Sequence, residues 1–106
     1  MFKRFFAESQ VKDEDLLGRW EFEKSEPAGS GFEGSAMEFE GNGKLTYASP
    51  TEGGTGLMVL TWRIEDAFLV TDQPSAPQEN RTKFAFEGTD RLRLEYSGVT
   101  SWYARI

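Results

Sequence analysis

The chain contains no cysteine and no histidine. Disulfides, thiolate nucleophiles, imidazole bases and nearly every structural zinc site are thereby excluded. An excess of positive charge is also missing. Twelve Lys and Arg face eighteen Asp and Glu, a formal net charge of -6, so counterion release onto a phosphate backbone cannot supply affinity and no nucleic-acid partner is expected. Long apolar runs are absent as well, and no stretch approaches the roughly 20 residues of a spanning helix. The start, MFKRFFAESQ, offers Lys3 and Arg4 as a basic n-region, but only Phe5, Phe6 and Ala7 follow where a signal peptide has an apolar core. A cytoplasmic location is the expectation, and the sequon at Asn80-Arg81-Thr82 then reads as chance.

What is present is a folding composition: 38% hydrophobic, 28% charged and 14% aromatic, too rich in rings for disorder. At 106 residues the chain suits one domain burying roughly two thirds of its unfolded surface in one core. Residues 1–17 form a leader with helical spacing: Phe2, Phe5 and Phe6 fall at i, i+3 and i+4, and KDEDLLG ends on a glycine stop. From Gly18 the period becomes two. Gly18, Trp20 and Phe22 share one face, with Arg19, Glu21 and Glu23 on the other. The same alternation returns in AMEFE, KLTYAS, LMVLTWRIE, AFLVT, TKFAFE, RLRLEY and VTSWYARI. Turn signals separate these segments: Asn42-Gly43, a flexible connection over PTEGGTG (50–56), Glu65-Asp66, DQPSAPQEN, Gly88-Thr89-Asp90 and Ser97-Gly98.

The pattern predicts an all-β domain over 18–106: a small antiparallel up-and-down meander barrel of about eight strands, entered by a short N-terminal helix. About eight strands close around an interior just wide enough for side chains or one small ligand, and closure removes exposed edges. A split β-sandwich satisfies the same alternation and remains the rival architecture.

The helical leader, Gly18-Arg19-Trp20 opening the first strand and Arg105 in the last resemble the calycins: lipocalins, fatty-acid-binding proteins and short bacterial lipocalin-like domains. That resemblance implies that Trp20 plugs one end of the barrel, with Gly18 before it and Arg105 packed over the indole. Thr71-Asp72 is followed by Gln73, so the lipocalin Thr-Asp-Tyr motif is not carried over.

The candidate ligand-binding residues are Phe39, Tyr47, Met58, Trp62, Phe84, Phe86 and Tyr103, from a larger set of expected interior side chains that also holds Met37, Phe68 and Tyr96. They form either a pocket for a small apolar ligand or a completely filled core. Tyr103 and Arg105, two apart, could jointly face inward and neutralise an acid headgroup; alternatively Arg105 clamps Trp20, or Trp102, Ala104 and Ile106 form the inward set. Glu21, Glu23, Glu38 and Glu40 read as a solvated face balanced by Arg19, Lys44, Arg91 and Arg93, not as an acid-base pair. GGTG (53–56) lacks the Lys-Ser/Thr of a phosphate loop and reads as a hairpin loop near the pocket mouth. No catalytic residue, metal ligand or cofactor site is assigned. The expectation is a non-enzymatic binding module for a small hydrophobic ligand; its rival is a filled barrel that contacts a protein partner or a second copy through Phe2, Phe5 and Phe6. Membrane contact is not expected.

Overall fold

The computed structural model describes residues 13–106. Within them, one 3-10 turn at Asp13–Asp15 precedes eight antiparallel strands: β1 Gly18–Glu26, β2 Ala36–Phe39, β3 Lys44–Thr51, β4 Gly54–Glu65, β5 Phe68–Asp72, β6 Asn80–Phe86, β7 Arg91–Tyr96 and β8 Val99–Arg105. Each pairs with the next and β8 returns to β1, so the sheet is a closed up-and-down barrel rather than a sandwich. Of the leader, only this single turn lies in the described residues; Phe2, Phe5 and Phe6 lie outside them.

Turn chemistry sets the registers. Ser97 and Gly98 both have positive φ (52° and 82°), the backbone of a two-residue hairpin that pairs Tyr96 with Val99. Residues 50–56 correct the expectation of a flexible connection. Pro50 pairs with Thr55 and Thr51 with Gly54, so both strands run on to a two-residue tip at Glu52-Gly53.

Cross-strand pairs share a face, so register decides which side chains enter the barrel. Trp20, Met37, Tyr47, Met58 and Phe22, Tyr103, Leu92, Phe86 form two such inward series. In β1 a bulge between Phe22 and Lys24 changes the count, placing Lys24 opposite Trp102 and Ser25 opposite Ser101. Phe68 belongs outside, a correction to its expected place: it pairs with Glu65 and Lys83, and the Arg81 guanidinium lies 5.2 Å over its ring. Val70, on the same outer face, is nevertheless fully buried. It sits between Arg63 and Arg81, which Glu65 links by bonds of 2.6 and 2.9 Å, so their aliphatic stems close over it.

The barrel is packed solid at the end where β1 begins. Phe39 meets Trp62 edge-on at 5.2 Å, Phe84 meets Phe86 at 6.0 Å, and Trp20 lies 6.0 Å from Phe86. Leu16 caps this cluster from below, fully buried, and its carbonyl accepts the Trp20 indole N–H at 2.9 Å. The Arg105 guanidinium stands 4.2 Å over the Trp20 ring, a contact contributing about 0.5 to 2 kcal/mol. Gly18 carries φ 111°, which lets the chain turn from the cap into β1 where an L side chain would be strained.

Removing the indole from this cluster leaves a cavity that the closed sheet cannot collapse. Trp20→Ala is expected to lower unfolding free energy by about 3 to 5 kcal/mol, and Gly18→Ala by about 1 to 3 kcal/mol through backbone strain alone. Urea unfolding of both variants against the parent protein measures the two losses.

Candidate functional site

The opposite end of the barrel is not filled. A cavity of about 380 Å³ opens there, lined by Phe32, Met37, Tyr47, Met58, Thr71, Asn80, Thr82, Leu94, Tyr96, Ser101 and Tyr103. The physical reason is side-chain size. In the packed half the inward positions hold Trp20, Phe39, Trp62, Phe84 and Phe86, whereas the same faces farther along carry Ser25, Thr71, Asn80, Thr82 and Ser101. Small hydroxyl and amide side chains leave space that indoles and phenyl rings would occupy.

Tyr47, Met58 and Tyr103 of the sequence-based candidates line this cavity. Phe39, Trp62, Phe84 and Phe86 do not; they belong to the packed end, where edge-on ring contacts absorb them. Met37 and Tyr96 of the wider interior set line it too, and Phe32, Thr71, Asn80, Thr82, Leu94 and Ser101, which were not among the candidates, complete the lining. Strand parity carries the signal for most of them: Thr71 is two residues from Leu69, Thr82 two from Phe84, and Ser101 two from Tyr103. Phe32 has no such signal, because it comes from the loop between β1 and β2.

That loop is built on Glu33. Its carboxylate accepts amide N–H groups from Gly29, Ser30 and Gly31 at 3.0 to 3.2 Å. Its own backbone amide first, then those of Gly31, Ser30 and Gly29, hold the Glu33 carboxyl below its usual range. The loop then delivers Ser35 into the barrel wall. Ser35 Oγ and the Tyr103 hydroxyl are hydrogen-bonded at 2.8 Å in a buried setting, and the Ser35 carbonyl accepts the Phe22 amide. Phe22 packs edge-on against Tyr103 at 5.7 Å. Across the mouth, the Tyr96 hydroxyl donates to Asn80 Oδ1 at 3.2 Å.

Tyr103 and Arg105 share the inward face of β8, paired with Phe22 and Trp20 respectively. The alternative inward set of Trp102, Ala104 and Ile106 is excluded, since Trp102 pairs with the outward Lys24 and Arg93. The joint carboxylate clamp is corrected too. Arg105 donates through Nη1 to the Leu17 carbonyl at 2.9 Å, through Nη2 to the Asp15 carbonyl at 2.8 Å and through Nε to the Thr89 carbonyl at 3.2 Å. All of its fork is directed at the closed end, while Tyr103 reaches the cavity.

The outer carboxylates behave as a solvated face. Glu23 binds Arg91 at 2.7 Å, Glu21 approaches Arg19 at 3.9 Å and Glu40 approaches Lys44 at 3.8 Å. Among the described residues, no group of three or more Asp or Glu could hold a metal ion. A second hollow of about 330 Å³ lies along β1, the Ser35 loop and the β3–β4 tip, lined by Arg19, Glu21, Ala36, Pro50 and Thr55 among others. The barrel cavity is the stronger candidate because side chains from every strand but β1 converge on it.

No protein-family model matches the sequence, and neither does any curated protein. Among solved structures, a lipocalin-like protein from Bacteroides uniformis superposes with a TM-score of 0.66, covering 87% of this chain and 99% of that one at 16% identity. The fold is lipocalin-like. In this lipocalin-like barrel the short-domain resemblance seen in Gly18, Trp20 and Arg105 coincides with the packed end.

Burial raises the Tyr103 phenol well above its ordinary value, so it stays a neutral hydroxyl. The unfolded phenol ionises near pH 10 and the folded one does not, so folding stability should fall as pH rises past about 10. Tyr103→Phe should flatten that alkaline limb while lowering stability at neutral pH by about 1 to 2 kcal/mol, because Ser35 loses its buried partner. Urea midpoints measured from pH 7 upward on both proteins give the comparison.

Proposed function

We propose that this barrel is a non-enzymatic cytoplasmic binding module that holds a small, mainly apolar ligand in its open half. The observation that carries the reading is the division of the interior: a solid half sealed by Trp20, and a cavity of about 380 Å³ at the other end. A mixed lining of apolar walls with a few hydroxyl and amide groups is the usual chemistry of a small-molecule pocket. The lipocalin-like fold supports it further.

Met58 stands at the mouth on the inward face, 41% exposed, so added bulk there fills the cavity without disturbing the packed end. The parent protein should take up the neutral dye phenylnaphthylamine with a rise in fluorescence. Met58→Trp should weaken that uptake by at least about tenfold while leaving the thermal midpoint nearly unchanged. A parent protein that takes up no dye removes the proposal.

Self-association is a second reading with one observation in its favour. Leu57 and Val59 lie on the outer face of β4, 70% and 49% exposed. If that face mediates a homodimer, light scattering should show a mass rising with concentration in the parent protein and fixed at the monomer value in Leu57→Lys/Val59→Lys. A parent mass that stays monomeric at every concentration removes this reading.

A further inference from the structure

We infer that the cavity selects an uncharged ligand bearing an oxygen acceptor, seated against the Tyr103 and Tyr47 hydroxyls; this rests on the binding reading above. No Lys, Arg, Asp or Glu is among the lining residues. A buried ionic headgroup would therefore have no counter-charge, and an unpaired ion in such a site is strongly disfavoured. The interior cation that could have served, Arg105, is committed to the Leu17, Asp15 and Thr89 carbonyls at the far end of the barrel.

The rim argues against an anion as well. Strand ends and loops around the mouth carry Glu26, Glu33, Glu52 and Asp72, while Glu79 and Glu95 there are paired with Arg63 and Arg93. The nearby cations are turned elsewhere: Lys24 lies 4.8 Å over the outer ring of Trp102, and Arg81 is bound to Glu65. Nor does the rim build a cation site inside, since the Glu33 carboxylate is occupied by its own loop amides. What the wall does offer is neutral hydrogen bonding. The Tyr103 hydroxyl is hydrogen-bonded to those of Ser35 and Tyr47, so three hydroxyls share two bonds and one hydroxyl proton is left for a ligand oxygen. Tyr47 borders the same phenol from β3. Asn80, whose Oδ1 is taken by Tyr96, keeps its amide N–H groups as a second donor.

Four ten-carbon ligands isolate the headgroup: decanol, decanoate, decylammonium and decane, each competed against phenylnaphthylamine at neutral pH. Decanol should displace the dye at a concentration at least about tenfold below either ion. Tyr47→Phe and Tyr103→Phe should each weaken decanol several-fold and leave decane unaffected; Tyr47→Phe retains the Ser35–Tyr103 bond and so serves if Tyr103→Phe fails to fold. Decanoate or decylammonium matching decanol overturns the inference, as does a decanol affinity unmoved by the folded Phe variants. If the dye itself is not taken up, the binding reading fails first. If the dye binds and the headgroup order is wrong, only the inference fails.

Discussion

The structure depends on the stack of Arg105 over Trp20. Within one group of contacts the guanidinium covers the indole at 4.2 Å, and its three nitrogens tie the capping segment through Leu17 and Asp15 to the β6–β7 turn through Thr89. The indole N–H holds the same segment through Leu16. Trp20 and Arg105 are also direct partners across the β1–β8 seam, where the chain's first and last strands close the sheet. Closing that seam brings distant parts of the chain together, and its loop-closure entropy must be recovered from contacts. A large ring, a cation on its face and several backbone bonds offset that cost at one place. The guanidinium so used is removed from ligand chemistry.

From this sealed end the interior changes character along the barrel axis. Rings and branched aliphatics fill the first half to the density of a core. Beyond them the inward positions shrink to serine and threonine or carry tyrosines whose hydroxyls are paired with Ser35 or Asn80. The result is one molecule with a rigid half that fixes strand register and a hollow half available for recognition. Short side chains there do not weaken the closed sheet, because its backbone ladder is complete around the circuit. The loop from β1 to β2 completes the hollow half: Glu33 gathers three amides, and that geometry sets Phe32 at the mouth and Ser35 against the Tyr103 hydroxyl.

Much of the fold was legible because alternation survives in every strand except at the bulge of β1. Trp20 and Phe22, Leu45 and Tyr47, Leu92 and Leu94 announce their faces without help, and Ser97-Gly98 marks its turn. The candidate site was less legible. Selecting the largest rings led to Phe39, Trp62, Phe84 and Phe86, which pack against one another because large rings fill whatever interior they reach. A cavity lies where such side chains are lacking, so its lining is marked by Thr71, Thr82 and Ser101 on otherwise apolar faces. Phe68 shows the limit of reading rings as core: two residues from Val70 on an outer face, it is covered by Arg81.

By itself the sequence determined an all-β chain of about eight strands with a tryptophan at one end, since period-two patterning and turn residues act over a few positions. It also determined what chemistry is absent, through the lack of cysteine and histidine. Only the tertiary structure decided that the sheet closes, that the bulge after Phe22 leaves Lys24 outside, and that Arg105 faces Trp20 rather than a ligand. Those outcomes depend on register between strands far apart in the chain. A shift of one residue there exchanges the two faces, and local propensity does not record it.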